Sequence, residues 1–213
     1  ALLVLDCIAS GCVWVDMATT GVDVLISAPQ KGWSAPPSAG LVMLNDDAVE
    51  RCKAAKSNSF AADLNRWLGI MEAYLGGGHA YHATMPTDAL RTLRNAMHEA
   101  CGVGLPKLAA AQWELGGAVR AMLADRGVRS VAAPGFEAPG VVVSFTDDPE
   151  IQTGRRFMAE GLQIAAGVPL MVGEGPDYRS FRIGLFGLDK LLDVPGTVAR
   201  LEAAVDHVFP RRG

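Results

Sequence analysis

The chain has 213 residues, 50% of them hydrophobic and 20% charged, with a net charge of −4. These values are typical of a globular protein of one large or two small domains. They exclude the basic stripe or tail of a nucleic-acid-binding protein, and the longest apolar runs are too short to span a membrane. The four cysteines lack the spacing of a zinc site. We therefore expect reduced thiols in a cytoplasmic protein, although the cysteine count alone also allows a secreted one.

The first part of the chain alternates short apolar runs with turns. Such runs predict strands buried on both faces, at residues 2–5, 13–15, 22–26 and 41–44. The links between them are too short for helical crossovers. We therefore expect the crossovers and further strands to lie upstream, with this chain forming the C-terminal part of a longer protein.

Helices are predicted next. Asn45 and the two aspartates after it offer an N-cap for a helix over residues 48–56. A helical apolar stripe covers residues 62–74, and the glycine-rich tract 76–86 is predicted to be a loop. Thr87 and Asp88 are predicted to cap a helix that ends near Cys101. A long helix then runs from Leu105 to about residue 125, with a proline in its first turn.

The pattern after residue 127 indicates a small α+β unit. Strands are predicted at 128–132, 141–145, 162–165 and 181–186, and helices at 147–160 and 195–209. The boundary is placed inside the long helix, near residue 120. Residues 1–120 are then part of a large domain with its linking helix, and residues 121–213 are a small C-terminal domain.

Two charged residues are placed at the ends of predicted strands. Asp6 follows the first strand, and Lys31 lies in a Pro- and Gly-rich loop just past the strand at 22–26. Ligands of open α/β sheets bind outside the carboxyl ends of the strands, so these two groups are expected to converge. A lysine amine beside a carboxylate suits pyridoxal phosphate, which needs an amine to hold it and an acid to pair with its ring nitrogen. Ser10, Ser27 and Gln30 are nearby polar groups that suit its phosphate.

Several segments, in the right order, resemble the class V pyridoxal-phosphate aminotransferases, and among them the serine–pyruvate/alanine–glyoxylate group. They are DCIAS at 6–10, TGVDVLISAPQK at 20–31, APP at 35–37, YHATMP at 81–86 and FRIGLFG at 181–187. The resemblance implies the C-terminal part of a fold-type-I enzyme. That fold combines the remainder of a mostly parallel large-domain sheet with a small α+β domain.

The resemblance also implies a role for individual residues. Lys31 would hold the cofactor as a Schiff base and then act as the base at the substrate α-carbon. Asp6 would pair with the pyridine nitrogen, and Arg182 would bind the substrate carboxylate. The remaining cofactor contacts implied are Ile8 on one ring face, Gln30 at the phosphate, and Tyr81 and Thr84 at the phosphate of the partner subunit in a homodimer with a shared site.

The reaction implied is transamination between a small amino acid, alanine or serine, and a small 2-oxo acid, glyoxylate or pyruvate. The opposite wall of the site would lie in an N-terminal region, so we expect this chain alone to bind the cofactor weakly and to transaminate poorly. A cysteine desulfurase-like or other class V reaction and an inactive fragment are the alternatives.

Each residue taken alone also has a plainer interpretation. Lys31 fits an exposed loop lysine, Asp6 a turn cap, Tyr81 a packed loop aromatic and Arg182 a buried structural arginine. Loop packing is the favoured role for His79 and His82.

Overall fold

The computed structural model describes residues 1–210. Its elements in chain order are β1 (Val4–Asp6), α1 (Met17–Thr20), β2 (Val24–Ser27), β3 (Leu41–Leu44), α2 (Asp46–Ala54), α3 (Leu64–Leu75), α4 (Thr87–Val103), α5 (Leu105–Ala124), β4 (Val141–Phe145), α6 (Pro149–Gln152), α7 (Arg155–Ala159), β5 (Ala165–Ala166), β6 (Ser180–Gly184), α8 (Leu188–Leu191) and α9 (Val194–Val208). Among these residues, no helix combines the length and the apolar character that crossing a bilayer requires.

The first sheet has the order β1-β2-β3 and is mixed. β1 and β2 are parallel, with Leu5 opposite Leu25, whereas β3 runs antiparallel to β2. β3 has the predicted bounds, and Asn45 caps α2 by accepting the Ala48 N–H at 2.9 Å. The strand predicted at 13–15 is wrong, because those residues are irregular. Asp16 after them caps the short helix α1, which replaces the predicted turn.

The second sheet is antiparallel, in the order β4-β6-β5. β4 has the predicted bounds, but the strand predicted at 128–132 is wrong, since only an isolated bridge from Ser130 to Ser144 forms there. The helix predicted at 147–160 divides into α6 and α7 at Gly154, whose φ of 80° is incompatible with a continuous helix. Of the strand predicted at 162–165, only Ala165 lies in a strand, the two-residue β5, so that prediction is wrong for residues 162–164; α8 was not predicted.

The main core lies where α5 and α9 pack together against the second sheet. Its fully buried members include Leu115 and Val119 of α5, Val205 of α9 and Phe181 of β6. Cys12, from the loop after β1, belongs to the same cluster. The helix α5 is continuous through residue 120, where the domain boundary is predicted, so that boundary falls within one rigid element. The predicted helical cap at Thr87 and Asp88 is wrong, because Pro86 occupies that position and makes no side-chain cap bond.

Candidate active site

Asp6 and the Lys31 loop lie at the same edge of the first sheet. Asp6 is the last residue of β1 and stands opposite Ile26 of β2, and the next amide, Cys7 N–H, donates to Ile26 O at 2.8 Å. Neighbouring strands are about 4.8 Å apart. The loop that carries Lys31 begins one residue after Ser27, the end of β2. The parallel pairing therefore directs both loops to one side, as the sequence predicts.

The two loops touch through glycines. A Cβ atom on Gly32, next to Lys31, would lie 2.0 Å from the carbonyl oxygen of Gly11, a distance that no real contact allows. Cys12 Sγ lies 3.2 Å from Gly32 O and donates to it. Gly11 itself has a φ of 68°, which favours glycine. The Lys31 loop is therefore fixed against the loop that follows Asp6.

The Lys31 loop is also ordered internally. Ser34 N–H donates to Lys31 O at 3.1 Å, and Ala35 N–H closes the loop on Pro29 O at 3.0 Å. Ser34 Oγ accepts the Leu188 N–H at 2.7 Å, which joins the loop to the start of α8. Lys31 therefore lies on a backbone that is bonded on both sides.

The tryptophan of this loop, Trp33, packs on Trp14 with ring centroids 4.2 Å apart. Its Nε1–H donates to Ser27 Oγ at 3.2 Å, and Ser27 is buried. The hydroxyl predicted as a phosphate ligand is thus engaged in holding the loop. Trp14 Nε1 is buried and has no protein partner within the described residues.

The other predicted groups near Asp6 are placed as follows. The Asp6 carboxylate is exposed, and its Oδ1 accepts the Ile8 N–H at 2.8 Å, so a short turn orients it. Ser10 Oγ donates to Cys7 O at 3.0 Å. Gln30 is exposed at the start of the Lys31 loop. Ile8, Ser10 and Gln30 lie in the two loops at this edge of the sheet, beside Asp6 at the end of β1.

Phe186 was missed by the sequence interpretation. Lys31 Nζ lies 4.9 Å from the centre of the Phe186 ring, and Lys31 is partly buried. Phe186 follows β6, which carries the predicted substrate-binding Arg182. Arg182 lies on the face of β6 opposite the buried Phe181 and Ile183. Phe186, two residues beyond the end of β6, continues this alternation, since Leu185 before it is buried. The two-residue spacing was visible in the sequence, but the contact with Lys31 was not.

Arg182 is partly buried, and its Nε donates to Ala166 O at 2.8 Å. Among residues 1–210 the two terminal nitrogens of the guanidinium form no hydrogen bond, and they are the pair of donors that suits a carboxylate. Four residues of extended chain separate Arg182 from Phe186, or about 13 Å between their Cα atoms. Arg182 is thus on the same strand face as the ring that contacts Lys31.

Tyr81 and Thr84 lie together in the loop before α4. Their hydroxyl oxygens are 3.0 Å apart, and Tyr81 is 73% exposed. No hydrogen bond among residues 1–210 joins this pair to Asp6 or Lys31. In the same loop, His82 packs against Phe60 with ring centroids 4.2 Å apart, and its Nε2 bonds Phe60 O, as expected for loop packing.

The two cysteines near the sheet edge, Cys7 and Cys12, have raised thiol pKa values. Burial raises the pKa of Cys12 to about 11, and burial together with the Asp6 charge raises the pKa of Cys7. Cys52 and Cys101 lie within the helices α2 and α4. Among residues 1–210, no group of three or more His, Cys, Asp or Glu side chains is arranged to hold a metal ion.

The donor set at the sheet edge fits pyridoxal phosphate. It offers an amine at Lys31 and a carboxylate at Asp6 on the neighbouring strand end. A guanidinium, that of Arg182, lies on β6, the strand that precedes the Phe186 ring in contact with Lys31. These are the three charged groups that the cofactor and a substrate carboxylate require.

No protein-family model matches the chain. Alanine–glyoxylate aminotransferase 1 of Saccharomyces cerevisiae is 27% identical over 197 residues, covering 87% of this chain and 49% of that protein. The 2-aminoethylphosphonate–pyruvate transaminase 2 of Burkholderia lata is 29% identical over 217 residues, covering 99% of this chain and 54% of that protein. A protein named soluble hydrogenase, small subunit, from Synechococcus sp. is 26% identical over 209 residues, covering 96% of this chain and 52% of that protein. The chain spans about half the length of the curated relatives it matches.

Solved structures agree on the fold. The alanine–glyoxylate aminotransferase of Nostoc sp. matches with a TM-score of 0.78 at 22% identity, covering 98% of this chain and 54% of that one. The ureidoglycine–glyoxylate aminotransferase of Bacillus subtilis matches with a TM-score of 0.75 at 22% identity, covering 100% and 55%. The predicted fold class, part of a fold-type-I transferase, is confirmed. Aminotransferases of this fold depend on pyridoxal phosphate. By these relatives and this fold, the chain is similar to the class V pyridoxal-phosphate aminotransferases over nearly its whole length.

Proposed function

We propose that the protein containing this chain catalyses pyridoxal-phosphate-dependent transamination between a small amino acid and a small 2-oxo acid. The observation that carries the proposal is the packing of the Lys31 loop against the loop after Asp6. The contact between Gly32 and Gly11 is so close that no side chain fits there. The packing keeps the amine and the carboxylate at one edge of the sheet, where ligands of such sheets bind.

Each charged group has a distinct task. Lys31 anchors the cofactor covalently and, once released, moves the proton at the substrate α-carbon. Asp6 holds a proton on the pyridine nitrogen, and Arg182 accommodates the substrate carboxylate with its two free nitrogens. The bound cofactor supplies an acceptor for the electrons released at the α-carbon. The turn that binds Asp6 Oδ1 to Ile8 N–H fixes the direction of the carboxylate and brings Ile8 beside it.

The phosphate is expected to bind polar groups from two chains. Gln30 and Ser10 flank the sheet edge within one chain, and Ser27 supports the loop through Trp33. Tyr81 and Thr84 form an exposed pair of adjacent hydroxyls. We assign this pair to the phosphate of a partner subunit in a homodimer. Exposure of the pair and its separation from the hydrogen bonds of the Lys31 loop support this assignment.

Alanine or serine as donor and glyoxylate or pyruvate as acceptor are the substrates we propose. The relatives named alanine–glyoxylate aminotransferase support this choice. Others are named 2-aminoethylphosphonate–pyruvate transaminase, whose donor carries a phosphonate. Pyruvate is common to both sets of proposed reactions. We place the protein in the cytoplasm, which suits four free cysteines.

The desulfurase alternative requires a reactive cysteine. The raised pKa values of Cys7 and Cys12 keep these thiols protonated near neutral pH, which does not favour that chemistry. The other alternative is that the chain is an inactive fragment rather than part of an enzyme. Covalent attachment of the cofactor to the protein would favour the enzyme.

The test is a substrate panel with the whole protein that contains this chain. Alanine, serine, cysteine and 2-aminoethylphosphonate are offered as donors, each with glyoxylate or pyruvate. Transfer from alanine or serine supports the proposal, and sulfide release from cysteine without transfer would overturn it. Lys31→Arg should abolish transfer, whereas Lys56→Arg on the exposed surface should not. Arg182→Gln should raise KM for the oxo acid, with exposed Arg155→Gln as its control.

A further inference from the structure

We propose that Phe186 is a positioning residue for Lys31, whose ring holds the lysine amine in place for attachment of the cofactor. This inference rests on the proposed function. It adds a residue that lies outside the two loops of the sheet edge and that contributes no polar atom. Phe186 acts on the chemistry only through Lys31.

The contact itself has the geometry of a cation–π interaction. Lys31 Nζ is 4.9 Å from the ring centre of Phe186, within the range of about 6 Å over which such contacts attract. Within residues 1–210, Lys31 forms no ion pair, so no carboxylate competes with the ring for the ammonium. The aromatic face is therefore the group that decides where Nζ lies.

The ring is held rigidly. A Cβ atom on Gly140 would lie 3.0 Å from Phe186 Cε1, and one on Gly184 would lie 3.6 Å from its Cδ2. Both positions are glycine, and the absence of their side chains leaves room for the ring. The adjacent Leu185 is anchored through its N–H to Gly140 O at 2.9 Å and through its carbonyl to the Gln112 amide at 3.2 Å. A ring fixed in this way fixes the amine that rests on it.

The same strand face carries Arg182. The ring that positions the amine and the guanidinium assigned to the substrate carboxylate thus follow one another on a single short stretch of chain. Displacement of this stretch would move both groups together. Phe186 thereby couples the position of the Lys31 amine to the strand on which the substrate is expected to bind.

A direct test uses reductive methylation of the lysines with ¹³C-formaldehyde in the cofactor-free whole protein, followed by NMR. A methylated amine over an aromatic face is shifted upfield by the ring current. We expect one upfield-shifted signal, assigned to Lys31 because Lys31→Arg removes it. Phe186→Leu should abolish the shift, Phe186→Tyr should keep it, and Phe136→Leu, at an 84% exposed phenylalanine, should leave it unchanged. An unshifted Lys31 signal in the unmutated protein would overturn the inference.

The rate of covalent attachment of pyridoxal phosphate, followed by absorbance, is the second measurement. At a pH where the amine is neutral in both proteins, Phe186→Leu should slow attachment by about tenfold, because the ring no longer confines the position from which the amine attacks. Phe186→Tyr should restore the rate. Attachment at an unchanged rate in Phe186→Leu would refute the role of Phe186 and leave the proposed function intact. A shifted Lys31 signal without any attachment of the cofactor would instead refute the proposed function.

Discussion

Replacing Gln112 by methionine removes an amide that ties three distant parts of the chain together. Gln112 is fully buried in α5. Its Nε2 donates to Pro139 O and Leu185 O, both at 3.2 Å, and its Oε1 accepts the Cys12 N–H at 3.4 Å. Methionine retains the length and helix propensity of glutamine, so the change isolates the loss of these bonds.

The expected magnitude follows from the groups left without partners. The carbonyl oxygens of Leu185, in a buried bond, and of Pro139, in a partly buried one, each lose a hydrogen bond, and an unsatisfied buried group costs about 1–3 kcal/mol. The bond to Cys12 N–H is long and adds little. We therefore expect Gln112→Met to lower the free energy of unfolding by about 2–4 kcal/mol.

Urea-induced unfolding, followed by circular dichroism and tryptophan fluorescence, measures this loss. Gln163→Met, at an exposed glutamine outside helices and strands, is the matched control and should change stability by less than about 0.5 kcal/mol. A loss below about 1 kcal/mol for Gln112→Met, or an equal loss in the control, would refute the reasoning.

Three further predictions concern the loops and the titrating groups. Gly32→Ala places a Cβ atom 2.0 Å from Gly11 O, so it should separate the two loops and greatly reduce cofactor attachment. Gly40→Ala is the control, because no atom lies within 4 Å of the added Cβ, and it should leave attachment unchanged. Equal attachment in the two variants would contradict the account. The Glu160 carboxylate, bonded to His207 at 2.7 Å, raises the pKa of His207. Its small contribution to stability is thus fully present below pH of about 6.5 and is lost as pH rises through the folded pKa. An NMR titration should show that Glu160→Gln lowers that pKa, and an unchanged value would count against the ion pair. Burial raises the pKa of Cys12 to about 11, so iodoacetamide at pH 8 should alkylate the exposed Cys101 well before Cys12. Early modification of Cys12 would argue against its burial.

The elements that the sequence predicts best are those whose signals are local. β3 and β4 have the predicted bounds because each is a short apolar run between turn residues. The long helix α5 also begins at Leu105 as predicted, with a proline in its first turn. Residues 13–15 look equally apolar, yet Trp14 packs on Trp33 instead of entering a sheet. Apolar composition alone cannot tell a strand from a loop that packs on the core.

In the candidate site, too, local features were predictable from the sequence and long-range contacts were not. That Asp6 and the Lys31 loop lie at one edge of the sheet was predictable, because parallel strands place their carboxyl ends at the same edge. The contacts of Gln112 and Phe186 could not be predicted, because they join residues that are far apart in the chain. A local sequence pattern does not indicate which distant group a side chain will contact. The antiparallel direction of β3 likewise depends on its pairing with β2, and residue composition does not predict whether two strands pair parallel or antiparallel.

The central claim is that Lys31 is the lysine that holds pyridoxal phosphate. Borohydride reduction of the cofactor-loaded whole protein, followed by peptide mapping, tests it most directly because reduction makes the attachment permanent. The account predicts a pyridoxyl group on Lys31, with the surface lysine Lys56 unmodified. A pyridoxyl group on another lysine, or none at all in the loaded protein, would contradict it.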